Sequence, residues 1–179
     1  MFWDKRDPSL LALLLLPFSY IIKAIILLKK INQNKKKLKI FTICVGNIYL
    51  GGTGKTPISI EVFKIIKKLN KSAVFIKKKY KKHIDETLLL KKTGPVYEDK
   101  YRINSLNKAV KNKYNFAILD DGFQDYSIFK NINILCFNEK QWIGNGLTLP
   151  SGPLRENLKS IQNASFIFIK GKKNNLIEK

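Results

Sequence analysis

The stretch Leu38-Lys-Ile-Phe-Thr-Ile-Cys-Val-Gly-Asn-Ile-Tyr-Leu-Gly-Gly-Thr-Gly-Lys-Thr-Pro57 decides how this chain is read. Its first half is β-branched and continuously apolar towards its end, the pattern of a strand buried on both faces of a parallel sheet. A glycine-rich turn follows, then Lys55 and Thr56, then apolar residues at Ile58, Val62, Ile65, Ile66 and Leu69 with helical spacing. Strand, glycine-rich turn, Gly-Lys-Thr and helix is the context of a phosphate-binding loop. Glycines let backbone N–H groups converge on phosphate oxygens, and the helix N-terminus adds partial positive charge. The residues placed on the nucleotide are Tyr49, Leu50, Gly51, Gly52, Thr53, Gly54, Lys55 and Thr56. Lys55 would reach the β- and γ-phosphates of ATP, and Thr56 would hold Mg2+ through its hydroxyl. One position departs from G-x-x-x-x-G-K-[ST]: Tyr49 stands where glycine is asked for, leaving Gly51 and Gly52 to supply the flexibility. A glycine-rich turn that only happens to precede a lysine is the plain alternative.

A second element supports the first. Asn115-Phe-Ala-Ile-Leu-Asp120-Asp121-Gly122 is an apolar strand ending in two carboxylates. An acid at such a strand end completes the Mg2+ shell in phosphate-loop folds, whereas two acids before a glycine could alone be a turn. Further strands are expected at 72–76, 133–137 and 165–169, and helices near 85–92, 104–111 and 153–164. Alternating strands and helices predict an α/β fold, a parallel sheet of P-loop NTPase type with flanking helices on both faces. Nucleotide then binds beyond the strand carboxyl ends. Pro153 would open the last helix at its first position, placing Arg155 and Glu156 in the first turn. An arginine there opposes the helix dipole, so an anionic ligand would account for it; an ordinary surface Arg–Glu turn is the alternative.

Ahead of this domain, Leu10 to Leu28 is 19 residues with one charge, Lys23. As a helix it would reach about 28 Å, near the thickness of the bilayer hydrocarbon. A cleaved signal peptide fits poorly, because no small-x-small site follows. A buried core helix would leave Leu10 to Leu16 without a polar face. A membrane-associating apolar helix, spanning or interfacial, fits best, with Pro17 allowing a kink and Ser19, Tyr20, Lys23 and Lys30 forming a thin polar stripe. Lysines 29, 30, 35, 36, 37 and 39 follow, suited to an anionic membrane surface and to a cytoplasmic location for what comes next. The expected division is therefore 1–37, helix and basic linker, and 38–179, nucleotide-binding domain.

The 179 residues carry 34 Lys and Arg against 13 Asp and Glu, a formal charge of +21. Only Arg6, Arg102 and Arg155 are arginine. A nucleic-acid-binding module is the rival such charge suggests, yet no base-reading or RNA-binding motif accompanies it, and no nucleic acid partner is expected. A membrane-tethered NTPase sharing only the phosphate loop is a second rival. Cys44 and Cys136 lie in apolar runs, which excludes a disulfide scaffold and a four-cysteine zinc site and suits a reducing compartment. Nothing in the chain sets an oligomeric state.

Three motifs in order, Val45-Gly-Asn-Ile with Gly51-Gly-Thr-Gly-Lys-Thr-Pro57, Asp120-Asp-Gly-Phe-Gln124, and Gly144-Asn-Gly with Leu149-Pro-Ser-Gly-Pro-Leu-Arg-Glu156, resemble the tetraacyldisaccharide 4'-kinases of lipid A biosynthesis. The resemblance implies transfer of phosphate from ATP to the 4'-hydroxyl of a lipid A disaccharide precursor, at the cytoplasmic face of a Gram-negative inner membrane. It implies that Asp120 and Asp121 are paired acids near the metal, and that Arg155 and Glu156 lie by phosphates and metal. It makes Asp85, in Ile84-Asp85-Glu86-Thr87, the candidate base, and aligns Tyr80 with a tyrosine of the family. Asp125 stands where the family has histidine, and the only histidine is His83. Family members continue beyond the strand ending at Ile169, so a second lobe is expected to be missing here. A nucleotide-binding fragment without turnover is therefore a further alternative.

Overall fold

The structure is a computed structural model, and it describes Trp3, residues 6–79 and residues 84–171. Tyr80, His83 and the tail after Gly171 lie outside the described residues. Among the described residues six strands form one sheet: β1 (Phe41–Gly46), β2 (Ala73–Lys78), β3 (Val96–Asp99), β4 (Phe116–Asp120), β5 (Ile132–Asn138) and β6 (Phe166–Lys170). Their order is β3-β2-β4-β1-β5-β6, and every pairing is parallel. Alternate side chains of β1, β2, β4 and β5 enter separate cores. Cys44 of β1 with Ala117 and Leu119 of β4 packs on one face, against Leu106 and Ala109 of α5 (Arg102–Lys111). Ile43, Val45 and Ile118 pack on the other, against Phe63 and Ile66 of α3 (Lys55–Lys68) and Leu90 of α4 (Ile84–Thr93). Both faces being covered explains why these strands read as unbroken apolar runs.

β3 was not anticipated. Its four residues, Val-Tyr-Glu-Asp, are all half-buried at the sheet edge, and so short a strand with two acids carries little apolar signal. The helix expected at 153–164 is also corrected. Only a 3-10 helix at Leu158–Asn163 forms, with the Asn157 side chain capping it by accepting from the Lys159 N–H at 3.2 Å. Residues 153–156 pair outward instead: the Leu154 N–H donates to Leu147 O at 3.1 Å and the Arg155 N–H to Ile48 O at 2.7 Å. Those N–H groups hold this segment against the phosphate-binding loop, so Arg155 does not sit in a first helical turn.

The apolar N-terminal segment is two helices, α1 (Leu10–Leu14) and α2 (Leu16–Asn32). Pro17, read as a kink, marks the start of the second, since it has no N–H to continue the first and suits an opening turn. No helix among the described residues is long and apolar enough to cross a membrane. The only buried residue of α2 is a serine. The Ser19 hydroxyl donates to Thr148 O at 2.9 Å and meets Ser151 Oγ at 2.7 Å. Leu14, Phe18, Ile21, Leu28 and Ile31 are meanwhile each more than half exposed. α2 is thus docked on the sheet domain by polar contacts of Ser19, and in the linker after it the backbone of Lys36 pairs with Ser127 and Phe129.

Candidate functional site

β1 ends at Gly46, and the chain leaves it through a loop that returns at Gly54, the N-cap of α3. Gly54 has φ +82°, a left-handed conformation that costs glycine nothing, and it turns the loop into the helix. Gly46 is required for a different reason: a Cβ there would lie 2.6 Å from Phe123 Cβ, in the Asp-Asp-Gly-Phe-Gln segment that crosses over it. The Gln124 amide donates to Asn47 O at 2.8 Å, and the Leu50 N–H donates to Pro153 O at 2.8 Å. All three sequence motifs therefore meet at the carboxyl end of β1.

Beside them lies a cavity of about 750 Å3 lined by Leu50, Gly51 to Pro57, Lys77, Glu86, Asp120, Asp121 and Arg155. Parallel register sets Val45 opposite Asp120, which brings the end of β4 to the loop. Asp121 follows at φ 54°, a left-handed turn that aspartate tolerates, with its N–H bonded to Val45 O at 2.9 Å. Arg102 fixes this turn from α5, donating to Asp120 O at 3.2 Å and to Asp121 O at 2.6 Å. Asp125 pairs with the same guanidinium at 3.5 Å.

Asp121 faces two cations, Arg155 Nη1 at 3.2 Å and Lys55 Nζ at 3.6 Å. Burial works to raise its pKa, but the charges of Lys55 and Arg155, with Arg102 behind them, hold it below the usual carboxylate value. Asp120 is almost wholly buried. Its Oδ1 accepts from the Ser59 hydroxyl of α3 at 3.1 Å, and its Oδ2 lies 2.8 Å from Lys77 Nζ. Lys77, at the end of β2, also donates to Glu86 Oε2 at 2.7 Å. Burial works against its charge, yet Asp120 and Glu86 raise its pKa above that of a free lysine.

Of the residues expected at the site, Leu50, Gly51, Gly52, Thr53, Gly54, Lys55, Thr56, Asp120, Asp121 and Arg155 are brought together. Three are not. Tyr49 is buried in the core, bridged to Leu154, and lines no part of the cavity; a large ring there packs the loop from below, where glycine was asked for. Glu156 is buried on the other side of its segment, pairing with Lys30 at 2.7 Å and facing Tyr126, so it stands apart from the other residues assigned to a metal. Asp85 is exposed on the first turn of α4; its neighbour Glu86 reaches the cavity wall. Lys77, Glu86, Ser59 and Arg102 were missed. Lys77 sits in a run of three lysines within a lysine-rich chain, where nothing distinguishes the one that is buried.

The carboxylates do not fit a divalent ion held by the protein. Mg2+ wants oxygen ligands in near-octahedral array. Here Asp120 is engaged at both oxygens, Asp121 carries two cations, and Glu156 points elsewhere. Among the described residues, no group of three or more His, Cys, Asp or Glu is placed to hold a metal.

The pattern described as Tetraacyldisaccharide-1-P 4'-kinase matches residues 11–179. The chain belongs to that family. A Tetraacyldisaccharide 4'-kinase of Pelagibacter ubique is 48% identical over 98% of this chain and 56% of the relative. One from Rickettsia typhi is 32% identical over 92% of this chain and 56% of its own length. The fold matches LpxK from Aquifex aeolicus, solved in complex with ATP, with TM-score 0.76 and 28% identity over 90% of this chain and 59% of that one. The chain thus spans little more than half the length of these family members.

Proposed function

We propose that this chain carries the ATP-binding site of a lipid A 4'-kinase reaction, in which the γ-phosphate of ATP passes to the 4'-hydroxyl of tetraacyldisaccharide 1-phosphate to give lipid IVA. One observation carries this reading: Lys55 and Thr56, at the head of α3, open on the same cavity as Asp120, Asp121 and Arg155. Backbone N–H groups around Gly51 to Lys55, with the α3 dipole, suit the phosphate chain. Lys55 and Arg155 are placed to neutralise the charge that develops on the transferred group. An anionic ligand would loosen both from Asp121, which now pairs with them. Mg2+ would enter only as a companion of the nucleotide's own phosphates, where the Thr56 hydroxyl would be the side chain to hold it. The base towards the acceptor hydroxyl belongs at the first turn of α4, where Asp85 lies on the open side and Glu86 on the cavity side.

The exposed apolar surface of α1 and α2 supports a place at the membrane surface, interfacial in kind, with the neighbouring lysines drawn to anionic headgroups. That suits an acceptor that stays in the bilayer, and the cytoplasmic face of a Gram-negative inner membrane is where ATP meets it.

The test is transfer of labelled γ-phosphate from ATP to tetraacyldisaccharide 1-phosphate in mixed micelles. Transfer that disappears in Asp120→Ala and Lys55→Ala would support the kinase. Phosphate release without lipid product would favour a membrane-tethered NTPase instead.

A further inference from the structure

Three cations and three carboxylates line the cavity: Lys55, Lys77 and Arg155 against Glu86, Asp120 and Asp121. The side-chain charges already balance, with no metal counted. Their arrangement is also specific. Lys55 and Arg155 share Asp121, while Lys77 Nζ bridges Asp120 at 2.8 Å and Glu86 at 2.7 Å. Two carboxylates from separate elements, converging beside a phosphate-binding loop, are what a divalent cation would require there. An ammonium, not an open seat, lies between them.

We infer that Lys77 is a tethered cation occupying the position a divalent ion would take between Asp120 and Glu86, so that this chain binds nucleotide polyphosphate with little dependence on Mg2+. The inference rests on the nucleotide-binding reading of the cavity and goes beyond it. The lysine is suited to the part. Its side chain is only 5% exposed, and β2 delivers it from the floor of the cavity. An ammonium has three N–H donors, and two are engaged by Asp120 and Glu86; the third is left for a phosphate oxygen. A divalent ion entering the same place would meet a like charge at contact distance and find Asp120 already held on its other oxygen by Ser59. A purely structural ion pair would bury Lys77 just as well but would leave the nucleotide's metal requirement untouched, and that difference is measurable.

The experiment is calorimetric titration of the 179-residue chain with a non-hydrolysable ATP analogue, in Mg2+ and in EDTA, beside Mn2+ binding to the nucleotide-free chain followed by electron paramagnetic resonance. Wild type is expected to bind the analogue within about threefold in the two buffers and to show no Mn2+ site. Lys77→Ser is expected to lose at least about tenfold in EDTA, the scale of one charged hydrogen bond, to recover part of it in Mg2+, and to gain a Mn2+ site. Wild-type binding that collapses in EDTA, or a Mn2+ site in the nucleotide-free wild type, overturns the inference while leaving the nucleotide reading standing. Absence of binding in both buffers removes the nucleotide reading, and this inference with it. The wild-type arms decide the matter even where Lys77→Ser does not fold.

Discussion

Lys30 Nζ lies 2.7 Å from Glu156 Oε2, joining the end of the apolar helix α2 to the residue that follows Arg155. The carboxylate is 1% exposed and the ammonium 33%, so the pair is anchored on its acidic side. Helix and cavity wall are therefore mechanically connected through two adjacent residues that point opposite ways.

Breaking that connection should cost stability. Lys30→Ala leaves a buried carboxylate without its cation, a loss of about 1–3 kcal/mol. The double variant with Glu156→Gln should recover part of it. Thermal denaturation of the four proteins of this cycle gives the coupling; additive losses would show that the pair contributes nothing jointly.

The two sides of α2 should respond oppositely to substitution. Phe18→Ser with Ile21→Ser removes exposed apolar surface and should weaken binding to anionic vesicles by at least about tenfold, with Tm unchanged. Ser19→Leu should lower Tm, because the hydroxyl that meets Thr148 and Ser151 is lost and a larger side chain must enter a filled place. Vesicle sedimentation beside a melting curve separates the two.

Asp121 predicts a dependence on acid. Its folded pKa lies below its unfolded value, so its contribution to stability is present above the unfolded pKa and is lost as pH falls through the folded one. Wild type should lose stability below about pH 4, and Asp121→Asn should lose less over the same range. Equal acid slopes in urea titrations of the two proteins would count against the assignment.

The cysteines should be inert in the folded chain. Burial pushes the Cys44 thiol up to about 11 and Cys136 to about 12. At pH 8 the thiolate of Cys44 is then on the order of one in a thousand. Iodoacetamide labelling of both should be slow in native buffer and rapid in guanidinium chloride, as followed by mass spectrometry.

The apolar strands and the glycine-rich turn were legible because their signals are local: β1, β2, β4 and β5 follow from nearly continuous burial, β6 from its apolar run although Phe166, Ile167 and Phe168 are exposed, and α3 from its spacing. What escaped depends on contacts made at long range. Whether Pro153 opens a helix is decided by Ile48, whose carbonyl takes the Arg155 N–H. Which acid of the Asp85-Glu86 pair reaches the cavity depends on the rotation of α4, since adjacent helical residues point about 100° apart. Lys77 was hidden as one buried lysine in a basic run, and Ser19, read as part of a polar stripe, gave no sign of its buried partners Thr148 and Ser151. For Arg155, Ser19 and Lys77 the deciding partner lies far along the chain, whereas Glu86 meets Lys77 only nine residues away.

The strand order has a kinetic consequence. β1 and β2 are consecutive along the chain but are not neighbours, because β4 inserts between them. The cavity's acidic wall, Asp120 and Asp121, arrives only with that insertion, and Arg155 arrives from still later in the chain. Pairings between such distant segments close slowly, as expected of parallel sheets. Nucleotide affinity should therefore emerge late in refolding, after helical signals have recovered, which makes a fluorescent ATP analogue a clock for completion of the sheet.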